Sequence, residues 1–421
     1  MRSVSKRVVI VGGGIVGMAT AWYCAKQNHE VTVIDRGKEH RDGCSYGNAG
    51  MIVPSHFIPL AAPGMIRMGL KYLGNPESPF YIRPRLSLDL IQWLWRFRGA
   101  CRESHVRQAA PLLRDLHLAS RQRFDELQGE LDGGFELVKR GLLMLCRDES
   151  VLHEEAETAE KAEQLGMPAQ VLDPTQLAAF DPDITMNVLG GVYYPNDCHL
   201  SPNRLMSAMQ HRLMAMGCQF QWETECEGFI TNGDRVNAVT TSVGETPADE
   251  VVLCSGIWST EMARQLKLKL PMQAGKGYSV TLTQPPQLPA ICSILTEARV
   301  AVTPMQQTLR FAGTMEIAGV DASITPSRVR GIVQSIRDYF PRFEPQLFDG
   351  CEPWVGLRPC SPDGLPYLGR PKHWNNVIVA TGHAMMGISL AMISGQLSAE
   401  LVEHQPASID NVHLLQPDRF G

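Results

Sequence analysis

Unbroken apolar runs and helical-period runs alternate from the start of the chain. Residues 8–11 (VVIV) are β-branched and apolar throughout, as in a parallel strand covered on both faces. Over 15–27, Met18, Ala21, Trp22 and Ala25 recur at helical spacing, and 30–34 (EVTVI) is a second strand closing on Asp35. Together they predict a βαβ unit. Later, 250–255 (EVVLCS) is an apolar strand that returns the chain to this sheet, and 376–380 (NVIVA) is another apolar strand. Helices are expected over 111–128, 153–165, 203–216 and 327–339, the second with a strongly acidic, solvated face. Residues 190–202 (GGVYYPNDCHLSP) read as a strand and a turn, and 218–222 as a strand. A hairpin of 227–231 with 235–242 turns at Asn232-Gly233. The runs 277–283, 298–303 and 308–313 read as strands of a second unit.

Other segments lack a period. Residues 44–56 (CSYGNAGMIVPSH) read as a loop whose backbone approaches something closely. Residues 354–369 (WVGLRPCSPDGLPYLG) hold Gly and Pro where regular structure is disfavoured, and Arg358 is their one charge before Asp363. In 381–402, Gly382 and Gly387 form a turn that opens a helix, whose N-terminus can face a polar or anionic group. Residues 87–97 (SLDLIQWLWRF) read as a partly buried helix of the second unit, although Trp flanked by Arg also suits a membrane surface.

Composition narrows the class. A chain of 421 residues exceeds what one compact core usually serves, so two domains are expected. A formal net charge of −5 with scattered Lys and Arg gives no basic patch, so no nucleic-acid partner is expected. The 11 cysteines are odd in number and lack CxxC spacing, which suggests neither a disulfide framework nor a metal site. Cysteine as a small buried residue in a reducing compartment is the simpler reading. Arg2, Lys6 and Arg7 before an apolar run imitate a signal peptide, but Gly12, Gly13 and Gly14 interrupt the run. Each Gly weakens a helix by about 1 kcal/mol relative to Ala, and the run is short of the roughly 20 residues that span a bilayer. A soluble start and a cytoplasmic protein are expected.

The glycines stand as Gly12-x-Gly14-x-x-Gly17 between strand and helix, with Asp35 ending the second strand. Gly12 allows the tight turn, Gly14 the close approach of a pyrophosphate, and Gly17 the packing of helix on strand, while a carboxylate at the strand end accepts from ribose hydroxyls. The pattern predicts a dinucleotide but leaves open whether it is a nicotinamide or a flavin.

The motifs VVIVGGGIVG, CSYGNAGMIVPSH, GVYYPNDCHLSP, KGYS (276–279), RFAGTMEIAG (310–319), WVGLRPCSPDGLPYLG and ATGHAMMGISLAMISG follow in an order that resembles the D-amino acid oxidase superfamily of flavoproteins, and within it the bacterial D-amino acid dehydrogenase branch. The resemblance implies an α/β fold, with a discontinuous Rossmann-type FAD-binding domain (1–56, 190–262 and 352–421) and an α+β substrate domain with a large, mostly antiparallel sheet (57–189 and 263–351). Gly12, Gly14 and Gly17 would hold the pyrophosphate, Asp35 the adenosine ribose, and Arg36 would lie near the adenine. Ser45, Asn48, Ala49, Gly50 and Met51 would line the pyrophosphate and flavin ring. Cys226 would meet the adenine through its backbone, Ser255 and Gly256 would lie near the pyrophosphate with Trp258 beyond, and Gly382, Met386, Gly387 and Ile388 would reach the pyrimidine end of the flavin. Relatives that bind flavin covalently use a cysteine upstream of a Pro-Asp pair. Here the matching position before Pro362-Asp363 is Gly356, with Cys360 offset, so non-covalent FAD is expected.

The resemblance also implies a reaction: oxidative deamination of D-amino acids, prolines and hydroxyprolines among the candidates, by hydride transfer from Cα to the flavin. An imino acid and then a 2-oxo acid would form, and electrons would pass to a quinone or other respiratory acceptor, with peripheral contact at the inner face of the cell membrane. Arg358 would clamp the substrate carboxylate through two charge-assisted hydrogen bonds. Tyr278 would bring its hydroxyl near the same carboxylate, and His56 and His383 would assist or orient. Arg310 is either a second substrate contact or a strand residue. The alternatives are a glycine- or sarcosine-type oxidase using oxygen, and an FAD-binding subunit of a hetero-oligomeric dehydrogenase.

Overall fold

The computed structural model describes residues 4–40, 43–72 and 75–421; Arg2 lies outside them. The opening unit is β1 (Arg7–Val11), α1 (Ile15–Lys26) and β2 (Glu30–Ile34). β1 is central in a six-stranded sheet ordered Tyr367–Gly369, Val377–Thr381, Glu250–Leu253, β1, β2, Gln219–Gln221. Only the Tyr367–Gly369 edge is antiparallel. The unbroken run follows from this position. Val8 and Ile10 face α1 and the last helix, Ala391–Val402, while Val9 and Val11 face the layer that contains Val236 and Val239. Full burial of such a side chain stabilises by roughly 1.5–3 kcal/mol. Gly395 lets the last helix lie directly on α1, because a Cβ there would collide with Ala19.

The second layer is a nine-stranded sheet ordered Trp354–Cys360, Gln273–Leu282, Thr308–Ile317, Val300–Met305, Cys292–Leu295, Leu142–Cys146, Gly190–Tyr194, Gln170–Leu172, with Phe80–Ile82 beside Thr308–Ile317. Its pairings are antiparallel except at two places. A short ribbon, β3 (Met51–Ile52) with Cys198–His199, lies apart from both sheets.

Several expectations change. Residues 354–360 are a regular strand of seven residues. Its one strand neighbour in the sheet is Gln273–Leu282, so it is an edge, with an isolated bridge from Cys360 to His383, and the missing N–H of Pro359 interrupts no sheet ladder on the outer side. Gly190–Tyr194 belongs to the nine-stranded sheet rather than to the dinucleotide unit. The helix expected to start at Pro111 runs through it, as part of Glu103–Glu130, because Ala109, Ala110, Leu112 and Leu113 are all buried there. The last helix begins at Ala391 rather than after Gly382, with a single 3₁₀ turn, Ala384–Met386, before it. Residues 88–100 form a helix capped by Ser87, whose Oγ accepts from the Leu90 N–H. Leu90 and Trp93 pack inward and the Trp93 indole donates to the Cys360 carbonyl, while Leu88, Ile91 and Trp95 are exposed. Among the described residues, no helix is long and apolar enough to cross a membrane.

Candidate functional site

A cavity of about 650 Å³ lies between the two sheets, bounded on one side by Gly12 and Gly14 and on the other by Ala312, Thr314, Gly356 and Arg358. Its floor is the turn from β1 to α1. Gly12 has φ +114°, and a Cβ there would lie 2.5 Å from the Cys254 carbonyl oxygen; at Gly17 a Cβ would collide with the Gly12 carbonyl. Both glycines are therefore demanded by the protein's own packing. Gly14 is different: the nearest atom to its missing Cβ is Ser45 Oγ at 3.5 Å, so the open space beside it belongs to the cavity.

Asp35 fixes this turn, accepting from the N–H groups of Gly13 and Gly37 at 2.7 Å each. Each oxygen keeps acceptor capacity. Arg36 stacks on Trp258 at 4.1 Å, and both line the cavity with Cys226, Ser255 and Gly256. The Ser45 hydroxyl accepts from the Ile15 N–H, supplying the cap that Gly14 lacks. Asn48, Ala49 and Met51 line the next stretch of wall, and Met386, Gly387 and Ile388 close the far end. Gly17, Gly50 and Gly382 do not line the cavity. Gly50 (φ +75°) turns against the Leu200 carbonyl, and a Cβ on Gly382 would lie 2.8 Å from the Tyr367 ring. Cys360, the thiol nearest the covalent-attachment position, is fully buried between Gly275 and Met315.

Arg358 lies flat against Gly277, where any side chain would collide with its guanidinium. It donates to the Thr314 carbonyl at 2.6 Å, and no carboxylate pairs with it among the described residues. Burial lowers its pKa from the usual value. A desolvated cation facing a cavity without a counterion is a receptor for an anion. The wall beyond Arg358 is apolar: Phe80, Met144, Ile294, Ala301 and Met315.

Three of the polar side chains considered from the sequence are engaged by partners within the protein. Tyr278 lines the cavity, but its hydroxyl donates to Glu316 at 2.8 Å and accepts from the Thr325 N–H, while Arg358 lies over the neighbouring Gly277. His383 lines the cavity but is only 4% exposed, and its Nε2 is engaged by Ser394 of the last helix. Arg310 holds the carbonyls of Tyr46 and Asn48 and pins the loop at 44–56 from behind. His56 does line the cavity; burial, reinforced by the charge of Arg299, lowers its pKa to about 4.

Sequence reasoning missed two features. The Trp354 ring covers Gly47 and Gly356, where a Cβ would collide with it. Thr314 takes φ +69° to present its carbonyl to Arg358. The small residue at Gly277 was a usable signal for the guanidinium, whereas nothing local marks a left-handed threonine. Among the described residues, no cluster of His, Cys, Asp and Glu could hold a metal ion.

Residues 7–401 match the DAO family, described as FAD dependent oxidoreductase. A D-amino acid dehydrogenase from Paramagnetospirillum magneticum is 33% identical over 421 residues, covering 98% of this chain and 99% of that one. One from Neisseria meningitidis serogroup C / serotype 2a is 32% identical over 416 residues, covering 96% and 97%. The crystal structure of glycine oxidase from Geobacillus kaustophilus shares the fold, with a TM-score of 0.79 at 22% identity over 100% of both chains.

Proposed function

The chain belongs to the DAO family of FAD-dependent oxidoreductases, and on that footing we propose that it is a D-amino acid dehydrogenase whose substrate is held by Arg358. The observation that carries this reading is the buried guanidinium, without a carboxylate partner among the described residues, in a cavity that also contains a dinucleotide cradle. The residues present fit FAD: the open space at Gly14, the α1 N-terminus beside it, and the Asp35 carboxylate at the end of β2. When bound, FAD supplies the two-electron acceptor for oxidation of the Cα–N bond.

The protein contributes placement. Arg358 takes the carboxylate in a two-pronged grip that fixes the orientation of Cα, and the Thr314 carbonyl holds the guanidinium plane. Phe80, Met144, Ile294 and Met315 surround the side chain, which favours apolar side chains and rings such as proline. The amine must be neutral before Cα–H breaks, and the imine released is hydrolysed in water to a 2-oxo acid and ammonium. The exposed face of the 88–100 helix carries Leu88, Ile91 and Trp95 and then Arg98, the pattern of a helix resting on an anionic bilayer, where a quinone is within reach. Anaerobic mixing of the FAD-loaded protein with single amino acids tests the proposal. D-amino acids with apolar side chains, D-proline included, should bleach the flavin absorbance and their L-forms should not. Bleaching by L-forms alone, or by none, overturns it.

A further inference from the structure

Behind the cavity wall lies a polar chain that the substrate clamp does not use. The ribbon of β3 with Cys198–His199 pairs Met51 with His199 and Ile52 with Cys198. This register brings the turn after β3 against the turn before Cys198, and so brings Ser55 to Asp197. Asp197 is fully buried. One of its oxygens accepts from the Ser55 N–H at 3.1 Å and the other from the Ser55 hydroxyl at 2.5 Å. The same hydroxyl lies 3.0 Å from His56 Nδ1. Its proton is committed to the carboxylate, so it can only accept from the ring, which makes Nδ1 the protonated nitrogen. Nε2 then carries the lone pair, and it has no protein partner among the described residues, on a half-buried side chain that lines the cavity.

We propose that His56 receives the proton of the substrate amine at Nε2, and that Ser55 and Asp197 are the positioning residues that carry the charge away through Nδ1 and the serine hydroxyl. The inference rests on the amino acid reading of the cavity. The balance is complete. The ammonium N–H bond breaks and an Nε2–H bond forms; Nδ1–H passes to Ser55 Oγ, and the Ser55 proton passes to the Asp197 carboxylate. The substrate is left a neutral amine, and no electrons move.

The surroundings favour passage rather than storage at His56. Burial and Arg299 hold the imidazole neutral, at about 4, whereas burial raises Asp197 to about 7 against the pull of its two Ser55 hydrogen bonds and of Arg121. Proton affinity therefore rises along the chain away from the cavity. The other groups facing it are His117 on the 103–130 helix, which burial, reinforced by His56, lowers to about 3, and Tyr194, Cys198 and Cys292 around Asp197, whose own pKa values burial raises and which stay protonated.

The test is the pH profile of kcat/KM in the holoenzyme, with whichever amino acid bleaches the flavin. Without the relay, only substrate that arrives as the neutral amine reacts. His56→Gln, Ser55→Ala and Asp197→Asn should each lose roughly 10- to 100-fold at pH 7, move the acid limb up by about one pH unit or more, and return to within about twofold of wild type above the amine's own pKa. Ser55→Thr, which keeps the hydroxyl, should retain the wild-type profile. An unshifted limb, or a loss that is uniform across pH, overturns the relay. Should Asp197→Asn fail to fold, Ser55→Ala against Ser55→Thr decides. Ring ¹⁵N NMR of the resting wild-type protein gives a readout independent of turnover: His56 should be the Nδ1–H tautomer, and an Nε2–H tautomer overturns the proposal. Failure of D-amino acids to bleach the flavin would refute the substrate reading, whereas the relay is refuted only by these pH and tautomer outcomes.

Discussion

Arg358 is defined by what faces it: a glycine beneath, a backbone carbonyl at one end, and a cavity on the open side. No carboxylate pairs with it among the described residues, and in the proposed reading its strongest partner is the substrate. Truncating one member of a buried, hydrogen-bonded charge pair costs about 2–5 kcal/mol. Arg358→Leu should therefore raise KM steeply and lower kcat/KM by roughly 30- to 4,000-fold, with FAD content unchanged. Arg358→Lys, which keeps the charge but loses the fork, should fall in between. Steady-state kinetics on FAD-saturated protein measures this, and an unchanged KM removes Arg358 from the clamp. In the sequence Arg358 stands out as a single arginine in an uncharged run, while the clamp role itself came from the family resemblance. The partner of the Tyr278 hydroxyl could not be read from sequence, because it depends on which face of a ten-residue strand meets Glu316, and that is settled by pairing across the sheet.

At the scale of elements, legibility followed periodicity. The buried parallel strands and α1 were visible as apolar runs because both faces are covered, and the Asn232-Gly233 turn announced its hairpin. Trp354–Cys360 was not visible, because its Gly and Pro signal irregular chain unless the strand is known to be an edge, and edge position is a property of the assembled sheet. The 87–97 segment was ambiguous for a related reason: its apolar residues point both ways. The structure divides them, with Leu90 and Trp93 inward and Leu88 at 77%, Ile91 at 55% and Trp95 at 74% exposure. An exposed stripe followed by Arg98 should bind a bilayer by apolar insertion and charge together. Wild-type protein should therefore sediment with vesicles containing anionic phospholipid, less so at high salt. Trp95→Glu should weaken partitioning by roughly tenfold or more, given the 1.5–3 kcal/mol expected for burying a large apolar side chain. Activity with a water-soluble dye should be unaffected, since Trp95 is remote from the cavity lining. Failure of the wild type to sediment, or indifference to Trp95→Glu, would argue against membrane docking.

Across the whole molecule, buried histidines tie the layers together and set an acid limit. His117 on the long helix bonds Ser389 ahead of the last helix, His199 sits on the ribbon, His383 bonds Ser394, and His56 closes the cavity. Burial holds all four neutral, lowering His56, His199 and His383 to about 4 and His117 to about 3. In the unfolded chain each titrates near 6.5. The folded state binds fewer protons below that value, so this contribution to stability is complete above about pH 6.5 and is lost as pH falls toward 4. Asp197, Asp181 and Glu155, whose pKa values burial raises, work in the opposite direction, since the folded state gains from their protonation. The four histidines outnumber these three acids, so the net contribution falls as the pH drops below 6.5. The apparent Tm should thus fall by roughly 5 °C or more between pH 7.5 and pH 5. His199 isolates the effect: its Nδ1 is buried without a hydrogen-bond partner and the ring is outside the main cavity. Glutamine in its place cannot take up the proton, so His199→Gln should show a smaller acid-induced drop than wild type in thermal scans at the two pH values. A flat Tm in the wild type, or an identical drop in the variant, would show that the acid response arises elsewhere.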